Sequence, residues 1–230
     1  MKIHVLTLFP NMINGVIHES IIGRAIYEKK IEIHVIDFRL FSLNKHKKVD
    51  DYPYGGGAGM VLQVEPVVRA LRSIKGYENA TKILMTPQGV PYNQDVALDF
   101  SKKDHLIILC GHYEGFDERI RAYFDLEISI GDYVLTGGEI AALAIIDSTI
   151  RLIPGILNKD ESAIEDSFSM GLLEYPHYTR PKTFEGKSVP EVLMSGHHQE
   201  IKLWRQNEAL KRTKSRRLDL YEKYIKSQKN

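Results

Sequence analysis

The chain has 230 residues, of which 43% are hydrophobic and 27% charged, a composition typical of a globular protein with a buried core. Its single cysteine, Cys110, excludes an internal disulfide, and no apolar run approaches the roughly 18–20 residues of a membrane-spanning helix. The N-terminal stretch MKIHVLTLF is too short and too quickly polar for a signal peptide, so we expect a soluble protein of a reducing compartment, the cytoplasm.

Short apolar segments alternate with amphipathic ones over the first two thirds of the chain. Segments rich in Ile, Val and Leu predict five strands, at Lys2–Phe9, Ile31–Phe38, Lys82–Thr86, His105–Cys110 and Phe124–Ile130. Segments with helical periodicity predict four helices, at Ile17–Lys29, Val64–Ser73, Gln94–Phe100 and Gly138–Ile153. The alternation indicates an α/β fold with a mostly parallel sheet covered on both faces. Ligands of such sheets bind beyond the carboxyl ends of the strands.

The character of the sequence changes after Pro154-Gly155, which ends the long helix. Residues 158–166 are polar and without clear periodicity, so we predict a linker between a larger domain at 1–157 and a small, mostly helical domain at 167–230. The second domain is basic, since Lys202–Arg217 contains seven cationic side chains and one acid, although the net charge of the chain is only +1. Such a stretch is typical either of a phosphate-binding surface or of a solvated helix face.

Three of the predicted strands run into loops that contain glycine, at Thr86–Gly89, Cys110–Arg119 and Ser129–Glu139. Glycine allows a positive φ and a close approach of the backbone to a ligand. At one edge of one sheet, three such loops can form a pocket in which main-chain N–H and C=O groups bind the polar edge of a base and apolar side chains form the walls. Each loop alone is also consistent with a simple tight turn.

These loops do not match the standard nucleotide-binding motifs. GxGxxG does not follow the first strand, and GxxxxGK[ST] is absent. The glycine-rich run Tyr54–Met60 lacks the Lys-Ser/Thr end of the latter motif, and we interpret it as a surface loop that acts as a lid or a partner contact. No Cys/His cluster has the spacing of a zinc site, and the sequence leaves the ligands of any metal unknown.

Eight segments in order along the chain resemble the bacterial tRNA (guanine-37-N1)-methyltransferase family. They are YGGGAGM (54–60), TPQG (86–89), CGHYEGFDER (110–119), SIGDYVLTGGE (129–139), RLIPG (151–155), EDSF (165–168), PHYTRP (176–181) and SGHHQEIKLWR (195–205). The chain departs from many members at Ala58, where proline is common, and at His112, where arginine is common. We therefore leave His112 out of the predicted site.

The resemblance implies a SPOUT-type α/β domain whose C-terminal half forms a deep trefoil knot, a rare exception to normal chain topology. It implies that the knot loops bind S-adenosylmethionine through Pro87, Gly89, Gly111, Tyr113, Glu114, Ile130, Gly131, Tyr133, Leu135, Gly137 and Gly138. It also implies an obligate homodimer with each active site built from both subunits. Magnesium dependence comes from the resemblance alone.

Methylation of guanine at N1 requires an aligned methyl donor, removal of the N1 proton and stabilisation of the charge that develops at O6. The resemblance points to Asp166 as the general base, and a carboxylate on a linker can close over the substrate and gain basicity by desolvation. Arg151 is the candidate for stabilising O6, since a guanidinium supplies paired, charged donors. Alternatively, Asp166 caps a helix-like turn and Arg151 interacts with the carboxyl end of the preceding helix.

The resemblance further implies that the second domain binds the anticodon arm of tRNA. The candidate contacts are Arg180, His198, Arg205, Lys211 and Arg212. Trp204 either stacks on a base or anchors the core of this domain. Two other functions stay open, a SPOUT methyltransferase acting on another RNA position and a non-catalytic RNA-binding dimer. The EDSF and PHYTRP segments argue against the first, and the intact Asp166, Arg151 and cofactor loops argue against the second.

Overall fold

A computed structural model describes residues 1–157, 166–169 and 171–228. The chain divides into two compact units, residues 1–158 and 159–230. Of the predicted linker at 158–166, only Asp166 belongs to the described residues, and 158–165 lie outside them. No helix of the described residues is long and apolar enough to span a membrane.

The first unit is built on a five-stranded parallel sheet. Its strands are β1 (Lys2–Thr7), β2 (Glu32–Asp37), β5 (Thr81–Pro91), β6 (His105–Cys110) and β7 (Leu126–Ser129), in the order β2-β1-β6-β5-β7. Every pair in this order is parallel, which confirms the predicted sheet. Strand β5 is longer than predicted, and its register with β7 shifts between Met85 and Val90. The TPQG segment therefore forms an irregularity within a strand, where Pro87 has no N–H to donate to a ladder.

Five helices cover the sheet. They are α1 (Pro10–Ile17), α2 (Ser20–Tyr27), α3 (Val64–Arg72), α4 (Gln94–Ser101) and α5 (Glu139–Ile150). The prediction of a single helix at Ile17–Lys29 was wrong, because α1 starts at Pro10 and a break at Glu19 separates it from α2. The break is tight, since a β-carbon on Gly23 would lie 2.2 Å from the carbonyl oxygen of His18. Proline at the first helical position was the overlooked start signal.

Two short strands of the first unit were not predicted from the sequence. Strand β3 (Asp50–Asp51) pairs antiparallel with β4 (Val61–Leu62), and the glycine-rich run lies between them. Two residues are too few to show the alternation by which a strand is recognised.

The core lies on both faces of the sheet. Neighbouring residues of β6 point to opposite sides, so Ile107 packs in the cluster under α3 while Ile108 packs in the cluster under α1 and α5. Both are fully buried. Burial on both faces explains why the strands are runs of apolar residues rather than alternating ones.

The second unit is small and mostly helical. Strands β8 (Thr183–Phe184) and β9 (Lys187–Ser188) form a hairpin, and helices α6 (His198–Arg216) and α7 (Leu218–Ser227) follow it. Ala209 and Thr213 form the buried side of α6. The hydroxyl of Thr213 accepts a hydrogen bond from the N–H of Leu173 at 2.8 Å and donates one to the carbonyl of Ala209 at 2.7 Å.

Three histidines meet on the sheet. His4 pairs in register with His34, and their rings stack with centroids 4.8 Å apart, while His4 Nδ1 lies 2.9 Å from His105 Nε2. Burial, followed by the positive charges of His105, His34 and Lys2, lowers the pKa of His4 from 6.5 to about 4, and only Glu32 opposes this shift. The folded chain therefore favours the neutral form of His4.

The histidine cluster predicts a loss of stability in mild acid. Because folding lowers the pKa of His4, its contribution is complete above pH 6.5 and is lost as the pH falls through about 4. We expect His4→Gln to remove about 1–2 kcal/mol of this pH dependence, allowing for the half-exposed ring. Urea unfolding at several pH values measures it, with the exposed His46→Gln as the control. An unchanged pH dependence in His4→Gln would contradict the assignment.

Candidate active site

A cavity of about 360 Å³ opens at the irregularity of β5 and beyond the carboxyl ends of β6 and β7. Its walls come from the three glycine-containing loops that the sequence predicted. Ten of the eleven predicted cofactor residues line it, namely Pro87, Gly111, Tyr113, Glu114, Ile130, Gly131, Tyr133, Leu135, Gly137 and Gly138. The structure therefore brings together residues as far apart in the sequence as Pro87 and Gly138.

Gly89 is the predicted residue that does not line the cavity. A β-carbon at this position would lie 2.4 Å from the main-chain nitrogen of Ile128, so Gly89 packs directly on the backbone of β7. Gly89 lies where β5 resumes its pairing with β7 after the irregularity. It therefore shapes the path of the backbone and does not form part of the cavity wall.

Close backbone contact joins the second and third loops. The N–H of Gly138 donates to the carbonyl of Gly111 at 2.9 Å, and His112 forms an isolated β-bridge with Gly137. A β-carbon on Gly138 would lie 2.8 Å from the α-carbon of Cys110, and one on Gly137 would lie 2.1 Å from the His112 ring. Side chains at 137 and 138 would force the loops apart, so only glycine allows this contact.

Hydrogen bonds also join the second loop to the end of the glycine-rich run and to β4. The N–H of Glu114 donates to the carbonyl of Met60 at 3.0 Å, and the carbonyl of Gly115 accepts from the N–H of Leu62 at 2.9 Å. Tyr113 has a φ of 60°, which is uncommon for a residue with a side chain. These contacts hold the half-exposed Tyr113 ring at the cavity.

A buried carboxylate lies behind the cavity wall. Glu139, the first residue of α5, is fully buried and accepts hydrogen bonds from His112 Nε2 at 2.7 Å and from the Thr7 hydroxyl at 2.5 Å. Burial alone would raise the pKa of Glu139, but the bonds from His112 and Thr7 hold that pKa below its ordinary value. Burial and the Glu139 charge raise the pKa of the Cys110 thiol, which stays neutral.

Sequence analysis missed this pair, and it left out His112, which lines the cavity. The sequence shows a glutamate after two glycines at the start of a predicted helix. This position is explained equally well by a favourable interaction of the carboxylate with the helix dipole. The partners of Glu139 lie 27 and 132 residues away in the chain, so no local pattern indicates the contact.

Arg121 is a second residue that the sequence analysis missed. It lines the cavity, donates to Gln88 Oε1 at 2.6 Å and to Glu118 Oε2 at 2.8 Å, and forms an ion pair with Glu127. Its guanidinium lies 5.1 Å from the centre of the Phe116 ring. Arg121 therefore ties the first loop to the second through hydrogen bonds and a cation–π contact.

The two candidate catalytic residues belong to different units. Arg151 follows the last residue of α5, its side chain is partly buried, and its N–H donates to the carbonyl of Asp147 at 3.3 Å. The carbonyl of Asp166 accepts from the N–H of Ser169 at 3.2 Å, which places Asp166 at the start of a turn. Their roles in catalysis stay predictions.

The predicted tRNA contacts all belong to the second unit. Arg180 and His198 are exposed, the guanidinium of Arg205 lies 4.8 Å from the centre of the Tyr175 ring, and Lys211 pairs with Glu208 at 2.7 Å. Arg212 is partly buried, with Nη1 donating to the carbonyl of Glu174 at 3.4 Å.

Trp204 is partly buried, and its ring centre lies 6.4 Å from that of Tyr178. This contact favours the interpretation of Trp204 as a packing residue of the small unit.

Within the described residues, no group of three or more His, Cys, Asp or Glu side chains could hold a metal ion. The fold and the cavity define an α/β protein that binds its ligand beyond the carboxyl edge of a parallel sheet. The cavity is lined by glycine backbone, a tyrosine pair and few charges, which suits a nucleoside-like ligand rather than a polyphosphate.

Comparison with known proteins gives the family. The sequence matches the tRNA (Guanine-1)-methyltransferase family over residues 1–223. A relative from Brevibacillus brevis named tRNA (guanine-N(1)-)-methyltransferase is 57% identical, with 97% of this chain and 92% of the relative covered. Relatives of the same name from Clostridium tetani and Geobacillus kaustophilus are 53% and 54% identical, with 97% of this chain and 93% of each relative covered. The chain belongs to the tRNA (guanine-1)-methyltransferase family.

Gly138→Ala tests whether backbone contact between the loops shapes the cofactor site. The added methyl group would press on the backbone of Cys110, shift the loops and misplace their main-chain donors. We expect the affinity for S-adenosylmethionine to fall roughly tenfold or more, the equivalent of about one lost hydrogen bond. Isothermal titration measures it. Glu78→Ala, at an exposed side chain outside the three loops and outside α1, is the control. Equal losses in both variants would refute the explanation.

Proposed function

We propose that this chain transfers a methyl group from S-adenosylmethionine to N1 of guanine 37 in the anticodon loop of tRNA. The observation that carries the proposal is the glycine-lined cavity at the carboxyl edge of the sheet, in a chain that belongs to a tRNA methyltransferase family. The three relatives named above are each called tRNA (guanine-N(1)-)-methyltransferase, which supports tRNA as the substrate and N1 of guanine as the acceptor. We place the reaction in the cytoplasm, where tRNA is matured in bacteria.

The cavity suits S-adenosylmethionine. Its volume of about 360 Å³ falls within the range of small-molecule sites, and it combines main-chain polar groups with apolar walls from Ile130 and Leu135. When bound, this cofactor supplies a methyl group on a positively charged sulfur, electrophilic enough that no covalent intermediate with the protein is required. Glu114 is the carboxylate that we assign to the methionine end. We assign no ligand set to magnesium.

The acid–base chemistry falls to two residues outside the glycine loops. Asp166 accepts the proton from N1 of guanine, and a carboxylate that loses water when substrate binds becomes a stronger base. Arg151 donates hydrogen bonds to O6, where negative charge accumulates as the proton leaves. A fixed positive charge at O6 also lowers the pKa of the N1 proton, so the two residues assist each other.

Binding of tRNA falls to the second unit. The exposed cations Arg180 and Lys211 and the exposed His198 are suited to phosphate contacts, whereas Arg205 and Arg212 also stabilise the unit through Tyr175 and Glu174. Lys211 already has Glu208 as a partner, so part of its charge is neutralised before RNA binds.

A homodimer with the active site at the subunit interface forms part of the proposal. Met12 and Val16 lie one turn apart on α1, Phe9 directly precedes this helix, and all three are between 43% and 46% exposed. Ile140 on the adjacent α5 is 54% exposed. The Phe9 ring lies 4.8 Å from the ring of His112, which lines the cavity. This apolar surface, continuous with the cavity wall, supports an interface at the active site.

The trefoil knot also remains a proposal. A knot requires that the segment leading into α5 pass through a loop formed by earlier residues. The backbone contact of Gly138 with Cys110 and Gly111 is consistent with such a passage, because the segments meet without intervening side chains.

The activity is tested by incubating the full chain with unmodified tRNA and methyl-labelled S-adenosylmethionine. We expect one methyl group at N1 of guanine 37, located by nuclease digestion and mass spectrometry, and none on a transcript with adenine at that position. Asp166→Asn should reduce turnover by about 10²-fold or more, with cofactor affinity nearly unchanged, because it removes only the base.

The exposed Asp95→Asn is the control and should behave as the wild type. Near-normal turnover in Asp166→Asn would remove Asp166 from the base role. A methyl group at another RNA position would favour a related methyltransferase of different specificity. Absence of both transfer and cofactor binding would leave only a non-catalytic RNA-binding protein.

Met12→Glu tests the proposed interface. A carboxylate in the centre of an apolar contact loses its hydration without gaining a partner, so we expect the dimer to dissociate at roughly tenfold or more higher protein concentration. Sedimentation equilibrium measures this constant. Leu40→Glu, at an apolar residue that is 68% exposed outside α1, is the control. A dimer that withstands Met12→Glu as well as Leu40→Glu would exclude α1 from the interface.

A further inference from the structure

The hairpin formed by β8 and β9 projects an aromatic side chain from the second unit. Its turn residues Glu185 and Gly186 have φ values of 47° and 76°, as the tight two-residue turns of hairpins require. The hydroxyls of Thr183 and Ser188 lie 2.9 Å apart and join the strands, and the N–H of Val189 donates to the carbonyl of Lys182 at 2.9 Å. The turn geometry and these two contacts give a short hairpin a defined shape.

Phe184 is exposed at the turn of this hairpin. It pairs in register with Lys187, so the two side chains leave the same face of the hairpin, opposite to the Thr183–Ser188 pair. The side chain of Phe184 is 64% exposed, and Tyr178 nearby in the sequence is 50% exposed. An aromatic ring and a neighbouring cation together suit the binding of a nucleotide. The ring can stack on the base, and the cation can contact the phosphate of the same nucleotide.

The charge of the surrounding segment fits RNA. All residues from 177 to 188 are exposed, and they include the cations Arg180, Lys182 and Lys187 against a single acid, Glu185. Among the described residues, no ion pair or hydrogen bond engages the side chains of these three cations. They differ in this respect from Arg205, Lys211 and Arg212, which have partners in the unit. Their charge is therefore available to phosphates.

We infer that the hairpin is an RNA-binding element in which Phe184 stacks on an unpaired base of the tRNA substrate while Lys187 and Lys182 contact the adjoining phosphates. This inference rests on the proposed function, since it names the groups that hold the substrate of that reaction. An unpaired base is required because a ring can stack only on a face that a neighbouring base does not cover. Charge complementarity selects RNA over an apolar protein surface as the partner.

The test measures tRNA affinity and methyl transfer for variants of Phe184 in the full chain. We expect Phe184→Ala to weaken tRNA binding about tenfold and to raise KM to the same extent, with kcat at saturating tRNA unchanged, because loss of one stacking contact affects binding alone. Phe184→Tyr should retain affinity, whereas Phe184→Leu should lose as much as alanine, because it is apolar but cannot stack as a ring. Glu185→Gln should strengthen binding about twofold.

Tyr27→Ala, at an aromatic residue of the first unit that is 87% exposed, is the matched control and should bind tRNA as the wild type does. Wild-type affinity in Phe184→Ala, or full affinity in Phe184→Leu, would overturn the inference. A change in sedimentation of Phe184→Ala without RNA would also overturn it, because the ring would then contact a second copy of the chain.

The two proposals can fail separately. If the wild type methylates guanine 37 and the Phe184 variants bind tRNA normally, only the hairpin inference is lost. If tRNA binding depends on Phe184 but no methyl group is transferred, the hairpin inference stands and the proposed activity is lost.

Discussion

Backbone contact at the carboxyl edge of the sheet is the constraint on which the cavity depends. Gly138 lies on Cys110 and Gly111 so closely that any side chain would separate the loops. The next residue, Glu139, carries a fully buried carboxylate, and a buried charge without partners would cost several kcal/mol. His112 of the second loop and Thr7 of β1 supply those partners. The end of β1, the second loop and the start of α5 are therefore fixed together.

This arrangement separates two tasks within the chain. The first unit supplies a preformed cavity whose walls are held by hydrogen bonds to β4, by the Glu139 pair and by Arg121. Preformed main-chain donors lose little entropy when a ligand binds. The proposed base and the cations proposed to bind RNA belong to the second unit, where exposed side chains are numerous and buried ones few. A basic, exposed unit suits an enzyme of a tRNA methyltransferase family, whose substrate is large and highly charged.

The cations of the second unit are not equivalent. Arg205 and Arg212 contact Tyr175 and Glu174, so part of their binding capacity is used to hold the unit together. The cations of the hairpin segment have no such contacts among the described residues. Net charge alone does not distinguish the cations that have protein partners from the solvated ones. A cation that already interacts with a protein group gains less binding free energy from a phosphate than a solvated cation does.

The sequence by itself determined the parallel sheet, since runs of Ile, Val and Leu such as Leu106–Leu109 can be buried only on both faces of a covered sheet. It also located the three glycine loops, because strands that end in glycine mark backbone-lined sites. Only the tertiary structure decided that Glu139 meets His112 and Thr7, that Arg121 joins the cavity, and that Gly89 leaves it. It also divided the expected helix at Ile17–Lys29, through the contact of Gly23 with the backbone of His18. These features depend on contacts between residues that are distant in the sequence. The periodicity of hydrophobic residues indicates only the secondary structure and the buried face of each segment.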